Sequence, residues 1–369
     1  MHRSSRLTMA ASLVGVAALL GTSAGLAQAG PGDPLRAEQW GLDQVRAERA
    51  WATTTGRGAV VAVVDTGVDL THPDLQGNLV AGATFTGCGA AGGPCGNGDF
   101  RGPDGQNNGD EHGTHVAGTV AAVANNGIGV AGVAPNARIM PVKVLEDGSG
   151  TFEDIAAGIR WSVDHGADVI NMSLGGLAGT QVLTLTGLES SVTEAIAYAG
   201  ARGTSVIVAA GNSATAFCNT PAWEPGAICV ASTDRNELKS WFSELPNKPD
   251  LKAVAAPGGA GLTSCEDDIV STVPVGTGAA SCGQTDYDYY AGTSMATPHV
   301  AGVAALLFAQ GRTRAAVEDA LLTTARQPVT GLRGTYSPAY GWGIVDATAA
   351  VAQPGATPPN GRKGGPEKR

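Results

Sequence analysis

The sequence predicts an α/β fold: a three-layer, doubly wound, mainly parallel sheet with helices on both faces. Three observations carry this. Apolar runs rich in β-branched residues, at 59–67, 138–144, 169–174 and 205–210, lack polar alternation, which is how strands covered on both faces read. Helix-length segments lie between or after them, at 152–165, around 192–201, and from Val300 through Val303, Ala304, Leu306 and Leu307 at helical spacing. At 369 residues and 43% hydrophobic content the chain can bury one large core, and no repeat or long linker separates a second.

Taken in order, residues 1–29 combine a basic start (His2, Arg3, Arg6), an apolar run from Leu13 to Leu20 and a small-x-small site at Ala27-Gln-Ala29. This predicts a signal peptide cut after Ala29; the run is too short for a membrane span. Residues 30–352 are expected to form one domain, opening with a short arm around Trp40 and a helix at 47–51. The 59–67 run is a buried strand with Asp65 at its C-terminal end, where open α/β sheets place their sites. Residues 85–108 are crowded with glycine, show no period and read as a surface loop. His112 opens an apolar helix. The strand at 138–144 leads through a turn at 146–150 to the helix at 152–165, and the strand at 169–174 ends in Gly175-Gly176. After the helix near 192–201, the strand at 205–210 runs into Gly211-Asn212. A last element at 340–346 precedes a short helix, and the Pro, Gly and Lys content of 353–369 predicts a disordered tail.

The formal net charge is −10, and removal of the leader takes away two arginines and no acid. Such a surface excludes nucleic acid and anionic membrane as partners and suits a soluble, secreted monomer. Six cysteines, an even number, belong with that compartment. Neighbours in sequence each share a Gly-rich or turn-rich segment, so the expected pairs among the fifteen possible are Cys88–Cys95, Cys218–Cys229 and Cys265–Cys282. No Cys-x-x-Cys spacing supports zinc.

The chemistry centres on Ser294, among small residues at the mouth of an apolar helix, where unpaired N–H groups and the positive dipole end favour negative charge. A serine hydroxyl needs a base to take its proton and a carboxylate to orient that base. His112 and Asp65 have those positions. Asp69 sits inside the following turn and His115 one helical turn on, so both read as structural, as do His72 and His299. The order Asp, His, Ser is wrong for a lipase or esterase, and Ser294 lacks the Gly-x-Ser-x-Gly elbow.

The three stretches, Asp65-Thr-Gly, His112-Gly-Thr-His-Val-Ala-Gly and Gly292-Thr-Ser-Met-Ala-Thr-Pro, resemble the motifs of the subtilisin-like (subtilase) serine peptidases over roughly residues 33–351. The resemblance implies hydrolysis of polypeptides through an acyl-enzyme, with Asn212 as oxyanion donor. An inactive scaffold of the same fold is the rival reading, and the intact Asp65, His112, Ser294 and Asn212 speak against it. Substrate would lie extended between Gly148-Ser149-Gly150 and Ser173-Leu174-Gly175, pairing through backbone. An apolar fourth subsite would be lined by Phe152, Ile155 and Leu174, and a first pocket by Ala209, Ala210, Gly211 and Asn219. No charge is evident there, so cleavage after apolar or uncharged residues is expected. The family's structural calcium would take Asp33, the Asp74 carboxylate, the Asn126 side chain and the carbonyls of Ala124, Ile128 and Val130. Pro221, Ala222 and Ala227 resemble a second, weaker cation site. Subtilases usually carry a folded pro-segment, for which the residues from Gly30 leave no room. Met295, next to the nucleophile, implies peroxide-sensitive activity.

Overall fold

The computed structural model describes residues 32–88, 93–107, 109–176, 190–262, 264–278, 280–282 and 284–355. The expected leader, residues 1–29, and residues 356–369 of the expected tail lie outside these. Seven parallel strands, β1 (Val60–Asp65), β2 (Ala83–Thr84), β3 (Arg138–Lys143), β4 (Val169–Met172), β5 (Ser205–Ala209), β6 (Ala227–Thr233) and β7 (Ala253–Pro257), form one sheet in the order β2-β3-β1-β4-β5-β6-β7. Central β1 pairs with β3 from Val60↔Arg138 to Asp65↔Lys143 and with β4 on its other edge. The chain leaves β1 toward one side of the sheet and later crosses it to the other. Asp65 therefore ends a strand at the point where the winding reverses, and a crevice opens outside the strand ends there.

The three layers follow from the period-two geometry of those strands. Val61 and Val63 of β1 face one core, and Ala62 and Val64 face the other. The first core packs α3 (His112–Ala121) and α6 (Thr293–Ala309) against the sheet, and the second packs α4 (Phe152–Asp164) and α5 (Ser191–Arg202). Both faces are covered, so the strands need no polar side, and their uninterrupted apolar runs are explained. Helix α6 is buried nearly all round, from Met295 through Leu307, which is why its sequence shows little amphipathic contrast. Short helices α1 (Trp40–Gln44) and α2 (Ala47–Trp51) precede the sheet, and α7 (Arg314–Thr323) and α8 (Ala347–Ala352) follow α6.

Helix α6 contains Pro298, which has no N–H to give the carbonyl of Ser294 four residues back. The Ser173 hydroxyl donates to that carbonyl at 2.7 Å instead. The first turn of α6 is thereby tied to the end of β4.

The strands expected at 59–67, 138–144, 169–174 and 205–210 and the helices expected at 47–51, 152–165 and 192–201 are found to within two residues, whereas 340–346 forms only isolated bridges, at Gly341 and Ile344. Residues 85–108 hold no helix or strand among those described, and the three disulfides pair as expected. The reading had not marked β6, β7, α7, or the antiparallel pair β8 (Ile269–Thr272) and β9 (Tyr287–Tyr290) that delivers the chain to α6. No helix among the described residues is long and apolar enough to cross a membrane.

Candidate active site

Asp65 is fully buried at the end of β1. Its Oδ1 accepts from the Thr66 N–H at 2.8 Å and pairs with His112 Nδ1 at 2.7 Å. The mouth of α3 comes this close because of Gly113, where a Cβ would lie 2.2 Å from the Gly67 carbonyl oxygen. Thr66 closes the junction from the other side, its Oγ1 accepting from the Gly113 N–H at 2.9 Å.

Beneath it lies a buried ion pair. Lys143 Nζ meets Asp110 Oδ2 at 2.5 Å and also donates to the carbonyls of Thr66 and Leu145. Asp110 Oδ1 accepts from the Asp147 N–H at 2.8 Å. One lysine thus joins the strand end carrying Asp65, the approach to His112 and the turn toward Gly148. Losing either partner would strand a buried charge, at a cost of about 3–5 kcal/mol.

His112 lines a cleft of about 580 Å³ that also holds Ser294. Burial alone would depress the imidazole, but the charge and hydrogen bond of Asp65 outweigh it and hold His112 above its ordinary 6.5. The other histidines of this region behave oppositely. His115 is buried, stacked on Tyr290, with Nε2 on the carbonyls of Ile269 and Asp288, and burial pushes it down to about 3. His299 is pushed down to about 4, again by burial. Asp69, the alternative carboxylate, accepts from Thr71 and from the Val275 N–H and holds a loop.

Ser294 Oγ donates to the Ser173 carbonyl at 3.1 Å. A second, adjoining pocket of about 150 Å³ runs from Ser294 past Asn212. The Asn212 Oδ1 accepts from both the N–H (2.9 Å) and the hydroxyl (3.0 Å) of Thr293. That fixes the acceptor end of the amide and leaves its NH2 as the donor at the pocket that Ser294 shares.

Of the predicted substrate residues, Gly148, Ser149, Gly150, Phe152, Ile155, Ser173, Leu174 and Gly175 line the cleft. Ala209, Gly211 and Asn219 line the smaller pocket. Ala210 stands behind them, its carbonyl accepting from the Asn219 N–H at 2.8 Å. Sequence reasoning missed Leu145 and Val192, which add to the apolar end of the cleft. Val192 opens α5, and its signal was an apolar residue in the first turn of a helix on the site side. Met295 is buried at 1% exposure and lines neither cavity, so peroxide reaches its sulfur less directly than its place in sequence suggests.

The residues assigned to calcium also meet. The carboxylates of Asp33 and Asp74 are buried, 7% and 0% exposed, and face the loop at 124–130. Asp33 accepts from the N–H groups of Asn125 and Asn126, and Asp74 from the Asn126 amide and the Val130 N–H. At the suggested second cation site the Ala227 carbonyl accepts from Lys248 Nζ at 2.5 Å, and the Glu224 carbonyl does so at 2.8 Å. An ammonium of the chain itself thus takes up one of the three residues suggested for that site.

Residues 56–343 match the profile of the Subtilase family. The chain is a subtilase. Thermitase of Thermoactinomyces vulgaris is 41% identical over 323 residues, covering 87% of this chain and 99% of that protein. The extracellular protease of Xanthomonas campestris is 38% identical, over 87% of this chain and 56% of that one. Among solved structures, a protease of Pseudoalteromonas arctica superposes with a TM-score of 0.72 at 38% identity, covering 87% of this chain and 98% of the other. As a member of this family the chain is a serine endopeptidase, and its substrates are polypeptides.

Proposed function

We propose that this subtilase is a secreted, calcium-stabilised endopeptidase of broad specificity, working through Asp65, His112 and Ser294 with Asn212 as oxyanion donor. The observation that carries it is the 2.7 Å bond from His112 to buried Asp65 in the same cleft as Ser294. Turning the Ser294 hydroxyl away from the Ser173 carbonyl lets His112 Nε2 take its proton as Oγ attacks the scissile carbonyl carbon. The negative charge that forms on the carbonyl oxygen is met by the Asn212 NH2 and the Ser294 N–H, and removal of the asparagine donor alone costs subtilisin about 10²–10³ in turnover. His112 then gives its proton to the leaving amine, and water, activated the same way, releases the acyl group from Ser294. Asp65 keeps Nδ1 protonated throughout, so that Nε2 is free to accept.

The substrate backbone would run between residues 148–150 and 173–175, with apolar side chains against Phe152, Ile155 and Leu174. Export is supported by the leader-like residues 1–29 and by the name of the Xanthomonas relative. The test is labelling of the leader-free protein by a fluorophosphonate, beside Ser294→Ala, with mass mapping of the adduct. An adduct on Ser294 that the variant lacks is expected; a folded protein that takes no label would overturn the reading.

Two buried carboxylates facing one loop fit a hard divalent cation. Burial chiefly, and the neighbouring Asp33 charge in part, pushes Asp74 up to about 6, so its ionised form at neutral pH is held at a cost that a bound cation would relieve. Among the described residues two acidic side chains converge, and the remaining ligands would be amide and carbonyl oxygens, the donors calcium takes. The sign of the linkage follows. A carboxyl raised in the folded state contributes stability below its unfolded pKa of about 4 that is lost as pH rises through about 6. Chelated protein should therefore lose melting temperature between pH 4 and 7 on account of this group, and calcium should restore more at pH 7.5 than at pH 5. Equal restoration at both values would count against Asp74 as a ligand.

A further inference from the structure

Behind the smaller pocket lies a buried carboxylate. Glu244 is fully buried. Its Oε1 accepts from the Asn219 amide at 2.9 Å, its Oε2 from the Thr215 hydroxyl at 2.6 Å, and its own N–H donates to the Gly211 carbonyl at 3.0 Å. The Ser213 N–H is a third donor to the carboxylate. Gly211, Ser213 and Asn219 all line the pocket that begins at Ser294. A Cβ on Gly211 would lie 2.6 Å from Asn219 Nδ2 and 2.8 Å from Glu244 Cδ, so the carboxyl packs directly against the bare α-carbon of the wall. Burial lifts the carboxyl above its ordinary value, while three donors with no acceptor around it pull the other way and suit the ionised form at alkaline pH. Among the described residues no ion pair neutralises Glu244; the nearby Lys239 ammonium is spent on the carbonyls of Ser240 and Ser243.

We propose that Glu244 sets the charge selectivity of this pocket, its buried negative charge repelling an acidic side chain at the residue whose carbonyl Ser294 attacks. The inference rests on the peptidase reading above. Glu244 acts through Gly211 and Asn219 and touches no substrate, so it is a positioning residue. Its charge lies where water and salt screen poorly, and unit charges several ångströms apart at an effective dielectric of about 20 change a rate about ten- to a hundredfold. Neutral side chains fit as before, and a lysine gains relative to its uncharged analogue.

The experiment compares peptides that differ only at this position, Gln against Glu and norleucine against Lys, at about pH 8.5. Native enzyme is expected to prefer Gln over Glu by well over tenfold in kcat/KM. Glu244→Gln should shrink that preference by about tenfold or more and lower the Lys-to-norleucine ratio. Glu244→Asp, which keeps the charge, should retain the native preferences. Glu244→Thr is the second neutral variant, should Glu244→Gln not fold. A Gln-to-Glu ratio near one in native enzyme, or one unchanged in a folded neutral variant, would overturn the proposal. Failure of native enzyme to cleave the norleucine peptide would overturn the peptidase reading itself, so the two failures are told apart.

Discussion

His112→Ala is expected to lower kcat on a peptide substrate by about 10⁶, and adding Ser294→Ala to it should cost almost nothing more. The magnitude is that found when either group is removed from subtilisin, where the pair behaves as one unit. The physical reason lies in the cleft. Without an imidazole, the Ser294 hydroxyl keeps its proton, which it shares with the Ser173 carbonyl, and is no better a nucleophile than water. Without the hydroxyl, the imidazole has nothing to deprotonate but water. What survives in either variant is oxyanion stabilisation at Asn212 and the binding of an extended substrate, together worth about 10³–10⁴ over the uncatalysed reaction. Kinetics of the two single variants and the double variant, on enzyme purified from a host that makes no subtilase, decide it. Losses that multiply would mean His112 and Ser294 act on separate steps, and the assignment of His112 as the base would fail.

The parts of the molecule that could be read in advance are those whose pattern has one physical cause. A continuous β-branched run has few uses except a strand covered on both faces, and β1, β3, β4 and β5 lie where such runs occur. An aspartate closing one, a histidine opening a helix and a serine opening another were visible as positions, and the fold brings the first two to 2.7 Å and the third to the same cleft. The parts that could not be read are those whose environment is made by distant chain. Lys143 stands at the end of a strand and looks like a solvent-facing residue, yet it is fully buried because Asp110, 33 positions away, awaits it. Glu244 stands in the polar-looking stretch Ser240-Trp-Phe-Ser-Glu and gives no hint that Asn219 and Thr215 will fold over it. Strands β6 and β7 were passed over because alanine, serine and proline dilute their β-branched content, although every residue in them is buried. Tertiary burial, not local propensity, makes them strands.

Asp65→Asn is expected to lower kcat by about 10⁴ and, at the same time, to move the acid limb of kcat/KM to lower pH. The loss follows from which atom carries the proton. In the native site Oδ1 accepts, so His112 Nδ1 is protonated and Nε2 is the free base. An asparagine whose NH2 takes the place of Oδ1 turns a donor toward Nδ1 and gives up the bond from the Thr66 N–H, which leaves the proton on Nε2 and the wrong end of the ring toward Ser294. The limb moves for a separate reason. Burial presses the His112 pKa down and the Asp65 carboxylate lifts it, by charge and by hydrogen bond, to a net value above 6.5. Removing the charge leaves the downward influence unopposed, and the group falls below 6.5. Activity needs neutral His112 and is lost as pH falls through its pKa, so the native enzyme should decline first and the variant should hold its small residual rate to lower pH. The ratio of native to variant activity is then larger at pH 8 than at pH 5.5. Profiles of kcat/KM over that range, with titrated active sites, measure it. A limb that stayed in place or moved upward while turnover fell would mean that Asp65 orients the ring without setting its charge.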